Sequence, residues 1–268
     1  MSYQVQIEDQ IAVFTFTAPT GAVSGETLRG LGEVLARVDA EEDLKGLVLT
    51  GAGKFFSSGF DLKTFTSFRN EKEIIEWFKY EEEVMHRLFT CSKPVIAAVN
   101  GHATAAGMII CMACDYRLAL DQEKIKIGMT EIKIGLSLTP AEGEIMRFGL
   151  DTDKNFRDMI MGGELISPQK AVARGFFDEL AATPEELIQK AKSKVCDLID
   201  TPGRPFIDLK QIEKKHAAAH IVTEVENFDW NILTSKFTNP KIIAFLAKVQ
   251  EGMDANSAAS GSSGGVNR

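Results

Sequence analysis

No apolar run in the chain approaches the roughly 18–20 residues needed to cross a bilayer, so no membrane span is expected. The first residues, Met1-Ser2-Tyr3-Gln4, begin a polar/apolar alternation without a basic segment ahead of an apolar one. A secretory leader is therefore not expected either. Positive charge is in short supply: 30 Lys and Arg face 38 Asp and Glu, a formal net charge of −8. A general nucleic-acid binder carries a basic face, so this balance argues against that role. It leaves room for a local basic patch that meets an anionic ligand.

Cysteine is scarce as well, with four residues, Cys91, Cys111, Cys114 and Cys196. Cys111 and Cys114 form a C-x-x-C, but they lie in the apolar stretch Met108-Ile109-Ile110-Cys111-Met112-Ala113-Cys114. No second pair follows to complete a four-ligand metal site. Both are read as core thiols, since free cysteine packs like a small hydrophobe. No metal is expected, and the expected compartment is cytoplasmic.

What is present is ordinary for a globular protein: 268 residues, 44% hydrophobic and 25% charged. That length accommodates one large domain, or one domain with a helical appendage. Residues 3–7 and 11–17 alternate around Glu8-Asp9 and predict a β-hairpin. Leu28, Leu31, Val34, Leu35 and Val38 recur at helical spacing after Ser24, a plausible N-cap. Gly46–Thr50 and Val95–Val99 are short apolar runs of buried-strand type, separated by an amphipathic helix from about Glu71 to Thr90. Residues 116–120 and 125–127 read as further strand. Such alternation implies an α/β fold with crossover connections.

From about residue 151 the pattern turns helical, over 154–161, 167–174, 184–199, 205–219 and 238–252. The division expected is a core over 1–200, a helical region over 201–254 and a Ser/Gly/Ala-rich mobile tail over 255–268.

Two loops carry the chemistry. The first, Gly51-Ala52-Gly53-Lys54-Phe55-Phe56-Ser57-Ser58-Gly59-Phe60-Asp61-Leu62, follows a strand and leads towards a helix. The second, Val99-Asn100-Gly101-His102-Ala103-Thr104-Ala105-Ala106-Gly107, does the same. Small residues let a ligand approach the backbone, and N–H groups at a helix start stabilise negative charge. Taken singly, either loop is more readily explained by packing.

In order and spacing, the pair resembles the crotonase, or enoyl-CoA hydratase/isomerase, superfamily. The first loop is similar to its F-x-x-G-x-D-[LI] element. Pro94-Val95-Ile96-Ala97-Ala98-Val99-Asn100-Gly101 is similar to its second loop, and Cys114-Asp115-Tyr116-Arg117 to the segment that follows. The likeness covers about residues 10–180. It implies a spiral of ββα units with a C-terminal helical region, and a homotrimer or dimer of trimers. The implied substrate is an acyl-CoA thioester in fatty-acid metabolism. No separate cofactor is implied, coenzyme A being part of the substrate.

Carried over, the resemblance makes the backbone amides of Phe60 and Ala106 an oxyanion hole. Phe60 stands where the family more often has a small residue, so its ring is expected to narrow the acyl pocket. Lys54, Ser58, Gly59, Lys63 and Gly107 are the expected coenzyme A contacts, although Lys54 and Lys63 read equally well as solvated surface lysines.

Hydratases of the family use two glutamates. One falls at Ile109 in this sequence; the other is Glu131, within Ile127-Gly128-Met129-Thr130-Glu131-Ile132-Lys133-Ile134-Gly135. Losing one carboxylate should cost hydration severely, because a general acid or base contributes roughly 10²–10⁴-fold. Moving a double bond needs only one base, and the local pattern resembles the family's Δ3,Δ2-enoyl-CoA isomerases. The dienoyl-CoA isomerases add an Asp where this chain has Thr139. The expectation is therefore a Δ3,Δ2-enoyl-CoA isomerase with Glu131 as acid/base. The alternatives are a hydratase or acyl-CoA hydrolase using Glu142 or Glu144, and a non-catalytic acyl-CoA-binding subunit. His102 is expected to be structural, and His216 and His220 to lie on the surface.

Overall fold

Alternation in the first sixteen residues places β1 (Tyr3–Glu8) antiparallel to β2 (Ile11–Phe16), with Tyr3 opposite Phe16. Asp9 and Gln10 between them take φ of 54° and 65°, the positive angles that a tight two-residue hairpin turn requires. The computed structural model describes residues 2–261. After β3 (Ala22–Val23) comes α1 (Gly25–Ala40), capped by Ser24, whose Oγ accepts the Thr27 N–H at 3.2 Å. Next are β4 (Gly46–Gly51), β5 (Phe55–Ser57), β6 (Gly59–Phe60), α2 (Leu62–Thr66) and α3 (Glu71–Thr90). The middle of the chain forms β7 (Val95–Val99), β8 (His102–Thr104), α4 (Ala106–Ala113), β9 (Tyr116–Leu120) and β10 (Ile127–Gly128). A 3-10 turn, Glu131–Ile134, leads to α5 (Pro140–Leu150) and α6 (Asp153–Phe156), which runs into a π-turn over Arg157–Met161. Then follow β11 (Leu165–Ile166), α7 (Pro168–Ala173), β12 (Glu179–Ala181) and α8 (Pro184–Ile199). The last elements are α9 (Pro205–Asn227), α10 (Asn231–Phe237) and α11 (Pro240–Gly261).

The strands make a six-stranded sheet in the order β1-β2-β4-β7-β9-β12, a four-stranded sheet β11-β10-β8-β5, and the pair β3-β6. From β2 onward the large sheet is parallel, as helical crossovers demand. Leu47, Val48, Leu49 and Val95–Val99 are fully buried. Strands covered on both faces read as continuous apolar runs, and α8 packs across β4, β7 and β9. Cys111 and Cys114 lie in this core as free thiols. Burial pushes both thiols up, Cys114 to about 12.

α9 is tied to the core by a buried ionic cluster. Asp115 accepts from Lys210 at 2.6 Å and from Lys214 at 2.8 Å, and all three side chains are at most 7% exposed. Burial opposes ionisation of Asp115, but the two lysines outweigh it and hold the carboxyl below its usual range.

Three sequence expectations are corrected here. The strand expected over 125–127 contracts to Ile127–Gly128, because Ile125 closes a turn with its N–H on Gln122 O. The helix expected over 205–219 runs on to Asn227. The expected tail from 255 is helical as far as Gly261, continuing α11 through good helix formers such as Ala255; residues 262–268 lie outside the described residues.

Candidate active site

The two loops interlock through glycines and one asparagine. Asn100 Oδ1 accepts the Gly51 N–H at 2.8 Å, and its Nδ2 donates to the carbonyls of Gly53 and Phe55, both at 3.3 Å. His102 N–H donates to Lys54 O at 2.9 Å. A Cβ on Gly101 would lie 2.2 Å from Lys54 O, so only glycine permits this crossing.

Two amides emerge from the junction. At the end of the β3–β6 pairing, Val23 O takes the N–H of Asp61, the residue next to Phe60. Alternation along the strand turns the Phe60 N–H to the opposite side. Ala106 opens α4, where the first N–H groups have no partner within the helix. Gly59 brings the two together: a Cβ there would stand 2.5 Å from Ala105 Cβ and 3.4 Å from Ala106 N. Ala105 itself holds φ 58°, ψ −131°. That conformation is costly for a residue with a Cβ, at about 1–3 kcal/mol. It is held by the Ala105 N–H to Gly128 O bond at 3.0 Å and by the start of α4.

Glu131 is the first residue of the 3-10 turn. Its Oε2 accepts the Thr130 N–H at 2.9 Å. Burial pushes its carboxyl up to about 7, against the opposing pull of the backbone N–H groups of Glu131 and Thr130. A carboxyl in that state can both accept and return a proton near neutral pH.

Phe60, Ala106 and Glu131 line one cavity of about 440 Å³, together with Lys54, Ser58 and His102. Its apolar end is formed by Phe65, Phe78, Leu233, Phe237, Val249 and Met253. Phe60 projects into this end and meets Trp77 edge-on, with ring centroids 5.0 Å apart. His102 accepts the Lys126 N–H on Nδ1 at 2.9 Å; burial, then the nearby lysines 126, 124 and 54, lower its pKa.

Not every residue expected at the site lines the cavity. Lys63 Nζ is drawn instead to Asp254 of α11 at 2.9 Å. Gly59 and Gly107 stand one layer behind the wall; a Cβ on Gly107 would be 2.4 Å from Ser57 O, so packing takes up its closest approach. Ile109 is 1% exposed and belongs to the main core. His216 and His220 are exposed on α9.

Of the two later glutamates, Glu142 lines the cavity and Glu144 does not. Glu142 is the third residue of α5, and its Oε2 accepts the Thr139 N–H at 2.8 Å. Behind it, Glu82 Oε2 accepts the Ala141 N–H at 2.9 Å, and Glu81 is fully buried. The sequence reading missed Glu81 and Glu82, which look like the solvent face of an amphipathic helix. It also missed Lys236, which lines the cavity and donates to Ser137 Oγ at 2.5 Å. No group of three or more metal-ligating side chains occurs among the described residues, and no helix among them is long and apolar enough to cross a membrane.

Comparison with known proteins gives this arrangement its class. The sequence model of the enoyl-CoA hydratase/isomerase family matches residues 6–255. A Bacillus subtilis protein named "Probable enoyl-CoA hydratase" is 30% identical over 207 residues, covering 77% of this chain and 79% of the relative. The chain belongs to the enoyl-CoA hydratase/isomerase family and is an enzyme of the crotonase superfamily, isomerase or hydratase. Its fold superimposes on human mitochondrial Δ3-Δ2-enoyl-CoA isomerase with a TM-score of 0.86, at 22% identity, over 96% of this chain and 99% of the human one. An enoyl-CoA isomerase of Mycobacterium tuberculosis gives a TM-score of 0.74 at 26% identity, over 84% and 96% of the two chains.

Proposed function

We propose that this enzyme is a Δ3,Δ2-enoyl-CoA isomerase. The observation that carries the reading is the pairing of Glu131 at the cavity wall with Ile109 inside the core. Where hydratases of the family have a second glutamate, this chain offers an aliphatic side chain that does not reach the cavity.

In this mechanism the thioester carbonyl oxygen sits between the N–H groups of Phe60 and Ala106. Fixed donors aimed at a developing oxyanion are worth about 10²–10³-fold each. They acidify C2, and the Glu131 carboxylate takes a C2 proton. The dienolate keeps its charge on the thioester oxygen. Reprotonation at C4 reforms the carbonyl and leaves the double bond at C2=C3. With its pKa near 7, Glu131 is both a competent base for the first step and, once protonated, a usable acid. Lys54, exposed and part of the cavity lining, is available to the coenzyme A phosphates.

The test is an assay on 3-enoyl-CoA and 2-enoyl-CoA substrates of several chain lengths. Conversion of the 3-enoyl to the 2-enoyl thioester is expected, with little 3-hydroxyacyl-CoA. Formation of 3-hydroxyacyl-CoA as the faster reaction would overturn the assignment. The hydratase reading has one observation in its favour, the presence of Glu142 in the cavity wall.

A further inference from the structure

Glu142 is the one cavity carboxyl that the mechanism above does not use. It is 6% exposed, on the wall that also carries Glu131. Its position is fixed from two sides. The Thr139 N–H holds one oxygen, and α5 starts with Pro140, which sets the helix entry. Behind it stand Glu81 and Glu82 of α3, at 0% and 2% exposure. Glu82 is held against α5 by the Ala141 N–H.

The groups facing Glu142 are therefore mostly acids: Glu81 and Glu82 from α3, and Glu131 from the 3-10 turn. From α10, Lys236 lines the same cavity but is engaged with Ser137 Oγ. No ion pair to Glu81, Glu82 or Glu142 forms among the described residues. Closely set carboxyls in one enclosed place cannot all ionise. Burial, reinforced by the charges of Glu82 and Glu131, pushes Glu142 up to about 8, while its Thr139 bond pulls the other way. Glu131 is less enclosed and is raised by burial alone, to about 7, so Glu142, with the acids behind it, is the carboxyl the site holds protonated.

We propose that Glu142 is a second catalytic carboxyl, the acid that delivers the C4 proton while Glu131 takes the C2 proton, with Glu81 and Glu82 as the buried backing that keeps it protonated. This rests on the isomerase reading and moves the C4 protonation from Glu131 to Glu142. The steps balance as follows. The C2–H bond breaks and its proton goes to Glu131, while the bonding pair flows into the dienolate. The carbonyl reforms, C2=C3 forms, and the former C3=C4 pair captures the O–H proton of Glu142 at C4. Glu131 is then neutral and Glu142 ionised. One proton passing back from Glu131 to Glu142, directly or by exchange with solvent, restores the start.

The experiment is a single turnover of unlabelled 3-enoyl-CoA by the whole enzyme in D2O, reading deuterium at C4 of the 2-enoyl product by mass spectrometry and NMR. Glu142 exchanges its proton with solvent beforehand, so the expected product carries close to one deuterium at C4. Glu142→Gln keeps an oxygen for the Thr139 bond. It is expected to lower kcat by about 10²-fold or more, and its residual product should carry the C2-derived hydrogen at C4. Wild type is expected to lose kcat/KM as pH rises through about 8, and the variant should lack that fall. Glu144→Gln, on the same helix but outside the cavity, should keep the wild-type labelling and rate.

Substrate-derived hydrogen at C4 in the wild-type product overturns the proposal without involving any variant. So does unchanged labelling in Glu142→Gln. If wild type forms no 2-enoyl-CoA at all, the isomerase reading itself has failed, an outcome distinct from either.

Discussion

Replacing Glu131 by glutamine should make the protein less active and more stable, and the stability gain should depend on pH. The folded carboxyl titrates near 7 against an ordinary 4.5, raised by burial. Below 4.5 the group is protonated in both folded and unfolded chains, so its contribution to stability is fully present. As pH rises from 4.5, the unfolded chain releases the proton first and stability falls, until the folded pKa is passed. From 4.5 to about 7, the total loss is at most about 3 kcal/mol, since one pKa step is about 1.4 kcal/mol. The cavity face of Glu131 still sees solvent, which makes this an upper figure.

Glutamine has no such proton to lose. Glu131→Gln should match wild type in urea denaturation at pH 4.5 and exceed it by up to about 3 kcal/mol at pH 8. Isomerisation should fall by about 10²–10⁴-fold or beyond detection, with acyl-CoA binding by calorimetry nearly unchanged. An identical stability difference at both pH values would refute the reasoning, because it would mean that Glu131 titrates as an ordinary surface carboxylate. Full activity in the variant would refute its role as base.

Two further substitutions test the frame around the site. Gly59→Ala puts a Cβ 2.5 Å from Ala105 Cβ at a residue with φ 104°; turnover should drop about 10²-fold through loss of the paired amides, and retention of wild-type kcat would show that the loops need not meet there. Asp115→Asn leaves Lys210 and Lys214 buried without their counter-charge. It should cost about 3–5 kcal/mol in chemical denaturation, and a loss below about 1 kcal/mol would remove the ionic cluster as the anchor of α9.

Much of the fold was legible because its elements are long or strongly patterned. The hairpin, α1 and α3 carry clean two-residue or helical periods, and α3 runs from Glu71 to Thr90 as read. The two-residue strands β3, β6 and β11 are too short to show any period. α10 is seven residues long and sits between two other helices. The continuation of α9 past residue 219 rests on a short apolar pair, Ile221 and Val225, which packs on the core but spans only about one turn.

The site divides in the same way. The loops and Glu131 were found through spacing along the chain. Choosing Glu142 over Glu144 needed the rotation of α5 about its axis, which one helix start cannot disclose. Glu81 and Glu82 are consecutive charges on an otherwise amphipathic helix, and only the seating of α5 against α3 turns them inward.

The seating of α11 on α2 has a consequence for how this enzyme can vary. Apart from Thr20 and Lys236, the cavity takes its polar lining from residues between Lys54 and Glu142, and much of its apolar half from Leu233, Phe237, Val249 and Met253. Under the proposed reading, chemistry and acyl preference are therefore encoded in separate stretches of the chain. Exchange of the chain from α10 onward would redirect the enzyme to another tail length while Glu131 and Glu142 stayed where they were.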